Sequence, residues 1–325
     1  MNQFAAMTLQ IIDADRVRKL LPMADCIDVM AHAMKAASGG DVGQPMRTVL
    51  PVDDAGGHFF VMPAASKALG CYGAKLISLT PANAGKNLPA IRVQYLLFES
   101  DTGAAVALID ASSLTALRTA AASGLAARLL ARPDATTCGI FGTGVQAMTH
   151  AEAMCAVRPV REIRIWGRDL EKADRLAQEL KASTPHIVSA HKDPATVAAC
   201  DLICTVTAAS QPILKGEWVR PGAHISLVGA HTLAQREADT ELVRRSQVFV
   251  DLLEAAHREA GDIMIPIQEG SVPADHIRGE IGKVATGAIV GRGSADQVTL
   301  YKSVGIAAQD LFAARHVFNK ARAIA

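Results

Sequence analysis

The run Gly142-Thr143-Gly144-Val145-Gln146-Ala147 follows a β-type stretch, Thr137 to Phe141, and opens a helical stretch that continues through Val157. In the order strand, glycine turn, helix, Gly142 permits the tight turn and Gly144 lets the backbone approach a pyrophosphate, while the small Ala147 lets the helix lie close to the sheet. The helix amino terminus adds unpaired N–H donors and the positive end of its dipole. The chemistry predicted is the holding of a dinucleotide. A second strand ending at Trp166 leads into Gly167-Arg168-Asp169, where an NAD site usually carries an acid for the ribose hydroxyls. Arg168 offers a guanidinium there instead, matched to the extra phosphate of NADP. The spacing therefore favours NADP(H), with NAD(H) the other cofactor. The bland alternative for Arg168 is an exposed loop arginine beside a helix capped by Asp169.

Three cations lie ahead of that turn. By helical spacing Arg118 shares a stripe with Leu114, Ala121, Leu125 and Leu129. A charge in an apolar stripe requires a partner, either an internal carboxylate or an anionic ligand in a pocket. Lys75 alternates with Gly73 and Ile77, and Arg47 sits in Pro45-Met46-Arg47-Thr48-Val49. Taken singly, Lys75 and Arg47 read as edge guards of strands. Taken with Arg118, they make a clamp for a carboxylate.

The elements that must position these groups fall into two patterns. Up to about Ile109 a helix expected over Met23 to Ala37 mixes with short apolar runs, among them Tyr72 to Leu79 and Arg92 to Phe98. That is an α+β pattern. A long helix over Ser112 to Ala131 is stopped by Arg132-Pro133-Asp134, where a domain boundary fits. Beyond it, Thr136 to Phe141, Ile163 to Trp166, Leu202 to Val206, Ile225 to Val228 and Val248 to Leu252 alternate with helical stretches. Such alternation predicts an α/β domain with a parallel sheet wrapped by helices. The tail from Ser303 to Ala325 reads as one amphipathic helix with Ile306, Leu311, Ala314 and Phe318 near one face, suited to packing back on the first domain.

Composition narrows the function. A formal net charge of +1 over 325 residues argues against a nucleic-acid partner, whose basic face would raise the balance. The six cysteines are scattered without a Cys-x-x-Cys pair or a cysteine-histidine ladder, so no metal is expected and the thiols read as reduced. No run reaches the ~18 apolar residues that span a bilayer, and no secretory leader pattern opens the chain. A cytoplasmic protein without a membrane partner is expected.

Several segments resemble the ornithine cyclodeaminase and mu-crystallin family: Pro45-Met46-Arg47-Thr48, Gly73-Ala74-Lys75, Tyr95-Leu96-Leu97-Phe98, Leu114-Thr115-Ala116-Leu117-Arg118-Thr119-Ala120-Ala121, the glycine turn, and Tyr301-Lys302-Ser303-Val304-Gly305-Ile306-Ala307. The resemblance implies a homodimer. An α+β N-terminal domain (1–122), completed by the C-terminal helix (308–325), would supply dimer contacts and substrate groups, and a Rossmann domain (123–307) would hold the nicotinamide. It implies that Arg47, Lys75 and Arg118 surround a substrate carboxylate, and that Thr119, Thr205 to Thr207, Val228 to Ala230, Val304 and Gly305 line the cofactor. One residue departs from the pattern. Ornithine cyclodeaminases carry a catalytic aspartate after the pair matching Gly229-Ala230, and this chain has His231 there. His231 is either a proton donor to an imine nitrogen or a loop histidine bonded to the backbone.

The resemblance thus implies NAD(P)H-dependent reduction of a cyclic ketimine acid, pyrroline-2-carboxylate or piperideine-2-carboxylate, to L-proline or L-pipecolate. Arg47, Lys75 and Arg118 would hold the carboxylate, and His231, Lys75 or water would deliver the proton. Ornithine cyclodeamination and reductive amination of pyruvate are the rival reactions. The rival outside catalysis is a crystallin-like protein that binds NADPH and a small ligand with little turnover.

Overall fold

The computed structural model describes residues 9–54, 56–86 and 88–324. The chain runs β1 (Gln10–Ile12), α1 (Ala14–Leu20), α2 (Met23–Gly39), β2 (Val42–Gly43), β3 (Thr48–Pro51), β4 (His58–Ser66), β5 (Cys71–Leu79), β6 (Ile91–Glu99), β7 (Ala105–Asp110) and α3 (Ala111–Leu130). It continues with β8 (Thr137–Phe141), α4 (Val145–Val157), β9 (Glu162–Trp166), α5 (Leu170–Ser183), β10 (Ile187–Ala190), α6 (Pro194–Ala198), β11 (Leu202–Thr205), β12 (His224–Leu227) and α7 (Thr240–Arg245). The last elements are β13 (Ser246–Val250), α8 (Leu253–Glu259), α9 (Gly261–Gln268), β14 (Ile277–Glu280), α10 (Ile281–Ala285), β15 (Val298–Lys302) and α11 (Ala307–Ala323).

The chain divides into two compact units. One comprises the chain up to Arg118 together with the chain from Ile306, and the other spans Thr119–Gly305. The division falls inside α3, four residues ahead of the 122/123 boundary and well before Arg132-Pro133-Asp134. That segment is a turn fastened into the second unit: Arg132 pairs with Asp201 at 2.8 Å, and Arg158 donates to the carbonyls of Arg128, Ala131 and Arg132. Carbonyls left over at the end of α3 find a guanidinium instead of water.

In the first unit the described strands form a sheet in the order β1-β7-β6-β5-β4-β2, with β3 also paired to β4. Alternation along β5 buries Cys71, Gly73 and Lys75 on one face, and α11 packs across β4, β5 and β6. The apolar face of α11, with Leu311, Ala314 and Phe318 buried and Ile306 buried just ahead of it, covers the sheet as its periodicity predicts. Lys75 cannot be an edge guard, because β5 is paired on both sides, Lys75 standing opposite Met62 of β4 and Tyr95 of β6.

The second unit is a parallel sheet in the order β10-β9-β8-β11-β12-β15-β13-β14. Its first half repeats the doubly wound order, with direction of winding reversing between β8 and β11. Ligands of such sheets bind outside the carboxyl ends of the strands at that reversal. Three helices of this unit, α5, α6 and α7, start where the sequence supplies an acceptor: Asp169, Asp193 and Asp239 each take N–H groups of the following turn. The tail helix begins at Ala307 and not at Ser303. Asp251 draws in the N–H groups of Val304 and Gly305 at 3.0 and 2.8 Å, and Gly305 adopts φ +77°, a left-handed value that a helix cannot contain. None of the six cysteines forms a disulfide. No described helix is long and apolar enough to cross a membrane.

Two buried histidines brace the second unit. His150 lies 2.8 Å from the Gln146 carbonyl and 3.0 Å from the Ser123 hydroxyl, and burial pushes its pKa down to about 4. His224 lies 3.0 Å from Thr299 Oγ1, and burial, followed by Arg292 and Arg158, pushes it down to about 3. A base whose pKa is depressed in the folded chain takes up its proton on unfolding. The stability it contributes is complete above the free value of about 6.5 and is lost as pH falls toward the folded value. We therefore expect the thermal unfolding midpoint to drop between pH 6.5 and pH 4, with a shallower drop in His150→Asn. Parallel pH dependences in the two proteins would remove His150 as a cause.

Candidate active site

At the carboxyl ends of β8, β9 and β11 lies a cleft of about 290 Å³ lined by Gly142, Thr143, Gly144, Trp166, Gly167, Arg168, Asp169, Lys172 and the segment from Val206 to Ala209. Its floor is set by backbone bonds: Gly142 N–H donates to Trp166 O, and Val206 N–H to Phe141 O, at 2.9 and 2.8 Å. Gly142 has φ +131°, and a Cβ there would stand 2.9 Å from Val206. Any other residue would be strained and would close the turn. A Cβ at Gly144, by contrast, would meet nothing within 4 Å and would project into open space. Gly144 then leads into α4 without a side-chain cap, leaving the first N–H groups of that helix for a ligand. A glycine cradle, a bare helix amino terminus and the two cations Arg168 and Lys172 fit the pyrophosphate and ribose end of a pyridine dinucleotide.

In the first unit, the predicted cations come together around a carboxylate that sequence reasoning missed. Lys75 Nζ is 2.8 Å from Asp310 Oδ2, and Arg118 Nε is 3.0 Å from Asp310 Oδ1. Asp310 is fully buried, with Lys75 2% and Arg118 5% exposed. Arg118 also donates through Nη1 to Gln309 Oε1. Arg47, half-buried just ahead of β3, acts on the same group. Burial first, then the charges of Arg118 and Arg47, lower the Lys75 pKa to about 8 against the opposing pull of Asp310. Of the two partners open to Arg118, the internal carboxylate is present. Two cations still face one anion.

The family model for ornithine cyclodeaminase/mu-crystallin proteins matches residues 7–324. The chain belongs to this family. It is 38% identical over 290 residues to ketimine reductase mu-crystallin of Mus musculus, covering 89% of this chain and 88% of that one. Among solved structures, the Δ1-pyrroline-2-carboxylate reductase of Thermococcus litoralis, in complex with NADH and L-proline, superposes with a TM-score of 0.93 at 33% identity over 97% of this chain and 98% of its own. An archaeal alanine dehydrogenase dimer with bound NAD superposes with a TM-score of 0.90 at 28% identity, covering 97% of each chain.

Against this family background the expected cofactor residues sort into groups. Gly142, Thr143, Gly144, Gly167, Arg168, Asp169, Val206 and Thr207 line the cleft. Val145 is exposed at the start of α4, while Ala147 is buried in the packing between that helix and the sheet. Gln146 gives its carbonyl to His150. Thr205 is buried, and its hydroxyl donates to Glu237. Val228 and Thr119 lie outside the cleft lining, and the N–H groups of Val304 and Gly305 are turned to Asp251. His231 is exposed, with Nδ1 3.1 Å from Gly229 O, the backbone bond foreseen for a loop histidine.

Sequence reasoning also missed Glu237. Its carboxylate accepts from Thr205 Oγ1, Thr207 N–H, Thr207 Oγ1 and Gly229 N–H, all at 2.7–2.8 Å, and so ties the loop after β11 to the loop after β12. Burial and the Asp262 carboxylate raise its pKa, while Lys302 and the two threonine hydroxyls oppose them. Asp262 in turn accepts from the N–H groups of Glu237 and Ala238 and pairs with Lys302 at 2.8 Å. The one signal for this web was an acid in a loop, Glu237 between Arg236 and Ala238, which periodicity does not read.

Proposed function

We propose that the chain is an NAD(P)H-dependent reductase of cyclic ketimine acids, converting pyrroline-2-carboxylate or piperideine-2-carboxylate to L-proline or L-pipecolate. The observation that carries this reading is the buried pair of cations on one carboxylate, Lys75 and Arg118 against Asp310. The excess positive charge, with Arg47 beside it, suits the carboxylate of a small substrate. The imine-reductase relatives support the same substrate class. His231, standing where cyclodeaminases carry aspartate, weighs against ring closure of ornithine.

The reduced nicotinamide supplies a hydride when bound. Arg47 and Arg118 orient the substrate carboxylate, and Lys75 gives its proton to the imine nitrogen. A Lys75 pKa near 8 matches that task, since an acid works best when its pKa lies near the working pH. The buried surroundings keep water from competing for the charges.

The test is the absorbance of reduced nicotinamide when the protein meets pyrroline-2-carboxylate with NADPH or NADH. Oxidation with the imine alone supports the reading. Oxidation only with pyruvate and ammonia, ammonia release from ornithine without net cofactor consumption, or tight NADPH binding with no turnover would each replace it.

NADPH is the favoured cofactor in this proposal, because Arg168 lines the cleft just past β9 with Lys172 near it. Arg168→Ser is expected to weaken NADPH by about tenfold or more, the worth of one charge-assisted contact, and to leave NADH nearly unchanged. Quenching of Trp166, which lines the same cleft, measures both. Equal losses would remove Arg168 as the phosphate reader.

A homodimer is part of the same reading. The first unit exposes Val49, Leu50 and Val52 along and after β3, Leu88 in the loop ahead of β6 and Ile91 at its start, apolar surface that a second copy would cover. Light scattering at twice the chain mass is the expected result. Six cysteines without a disulfide fit a cytoplasmic setting.

A further inference from the structure

We infer that Asp310, on the C-terminal helix, is a positioning residue for imine reduction: it fixes Lys75 and Arg118 in place and keeps Lys75 in the ammonium form that donates the proton. This rests on the reductase reading above and adds a residue that lies outside both the glycine turn and the cation clamp.

The geometry is specific. Asp310 divides its two oxygens between two cations from different elements, Oδ2 to Lys75 of β5 and Oδ1 to Arg118 of α3. The neighbouring Gln309 takes the second donor of Arg118 through Oε1, the same oxygen that accepts the N–H of Ile306. The first turn of α11 thus presents a carboxylate and an amide side by side to one guanidinium. A carboxylate in that position pairs with both cations at once while leaving a net positive charge on the cluster.

The charges facing Lys75 show why one acid matters. Arg118 of α3 and Arg47 ahead of β3 are both positive and disfavour the ammonium, as does burial. From α11, Asp310 is the opposing charge. The strand neighbours add none: Met62 of β4 is apolar, and burial together with Asp310 holds the Tyr95 hydroxyl of β6 neutral, well above its usual pKa. Tyr95 packs closely over Gly73, where a Cβ would stand 2.6 Å from its ring. Remove the Asp310 charge and the ammonium is left among like charges in a dry site.

The proton balance is simple. Hydride adds to the imine carbon, the π pair of the C=N bond passes to nitrogen, and nitrogen takes a proton from Lys75 Nζ. The nicotinamide leaves oxidised, and neutral Lys75 regains a proton from solvent. Asp310 is not consumed and touches no reacting atom.

The experiment compares the pH profile of kcat/KM for pyrroline-2-carboxylate with NADPH in the wild type, Asp310→Asn, Asp310→Glu and Arg118→Gln. The ionisation of the substrate is common to all four, so differences between profiles belong to the protein. The wild type is expected to lose activity as pH rises through about 8. Asp310→Asn should move that alkaline limb down by about one unit or more, as loss of an adjacent opposite charge does, with NADPH affinity by Trp166 quenching unchanged. Asp310→Glu should restore the limb toward the wild-type position, and Arg118→Gln should move it upward.

A uniform loss of rate in Asp310→Asn with the limb in place would overturn the inference and leave Asp310 a packing residue. If that variant does not fold, Arg118→Gln decides, and an unmoved limb overturns the coupling. A wild type that oxidises no NADPH with the imine brings down the reductase reading itself. An active wild type with pH profiles unaltered in the variants brings down only the role of Asp310.

Discussion

Lys75→Met is expected to lower kcat/KM for the imine by about 10²- to 10⁴-fold, the usual contribution of a placed general acid, while NADPH affinity stays as it was. Methionine matches the length of the lysine stem, so the inner face of β5 stays filled while the charge is lost. Asp310 keeps Arg118 as its partner at 3.0 Å, so no carboxylate is left buried and alone. The cofactor cleft is built wholly from residues of the other unit, which is why its affinity should hold. Steady-state rates with NADPH saturating, alongside Trp166 quenching, make the comparison. Retention of most of the activity would remove Lys75 from the chemistry and bring His231 or water forward as the donor.

Glu237→Leu is the second large effect, expected on stability and on cofactor binding together. The substitution leaves four donors without their acceptor. The threonine hydroxyls can rotate to other acceptors, but the N–H groups of Thr207 and Gly229 are fixed by the backbone. An orphaned donor costs about 1–3 kcal/mol when fully buried, and these two are half-buried, so a loss of about 2 kcal/mol is expected from urea denaturation. Thr207 also lines the cleft, so its loop should lose its set position and NADPH should bind more weakly. Glu237→Gln keeps an acceptor oxygen for part of the web and should fall between. A stable Glu237→Leu protein with normal affinity would mean that water or a shifted loop replaces the carboxylate.

The parts that were legible in advance are those that local chemistry dictates. Alternation of short β-type runs with helical stretches implies a parallel sheet, and β8, β9, β11, β12 and β13 all fall within a residue or two of the expected runs. The glycine turn was readable because Gly142 and Gly144 answer to backbone geometry and to open space, both local properties. Arg118 stood out because a cation in an apolar stripe needs a partner wherever the helix goes.

Its partner carries the same kind of local signal, a charge in an apolar stripe. Asp310 stands four residues after Ile306 and four before Ala314, inside the stripe assigned to the apolar face of the last helix. Other features had no local signal. Whether Lys75 guards an edge or sits in the middle of a sheet depends on which strands pair, and β5 is flanked by β4 and β6.

By itself, then, the sequence determined the α/β class, the dinucleotide turn and the cations in need of partners, because period, turn geometry and burial of charge act over a few residues. Only the tertiary structure decided which carboxylate meets those cations and which acid ties the cleft loops together. Arg118 and Asp310 are 192 residues apart in the chain, and no short-range rule links them; their contact exists because α11 packs back across the sheet that carries Lys75.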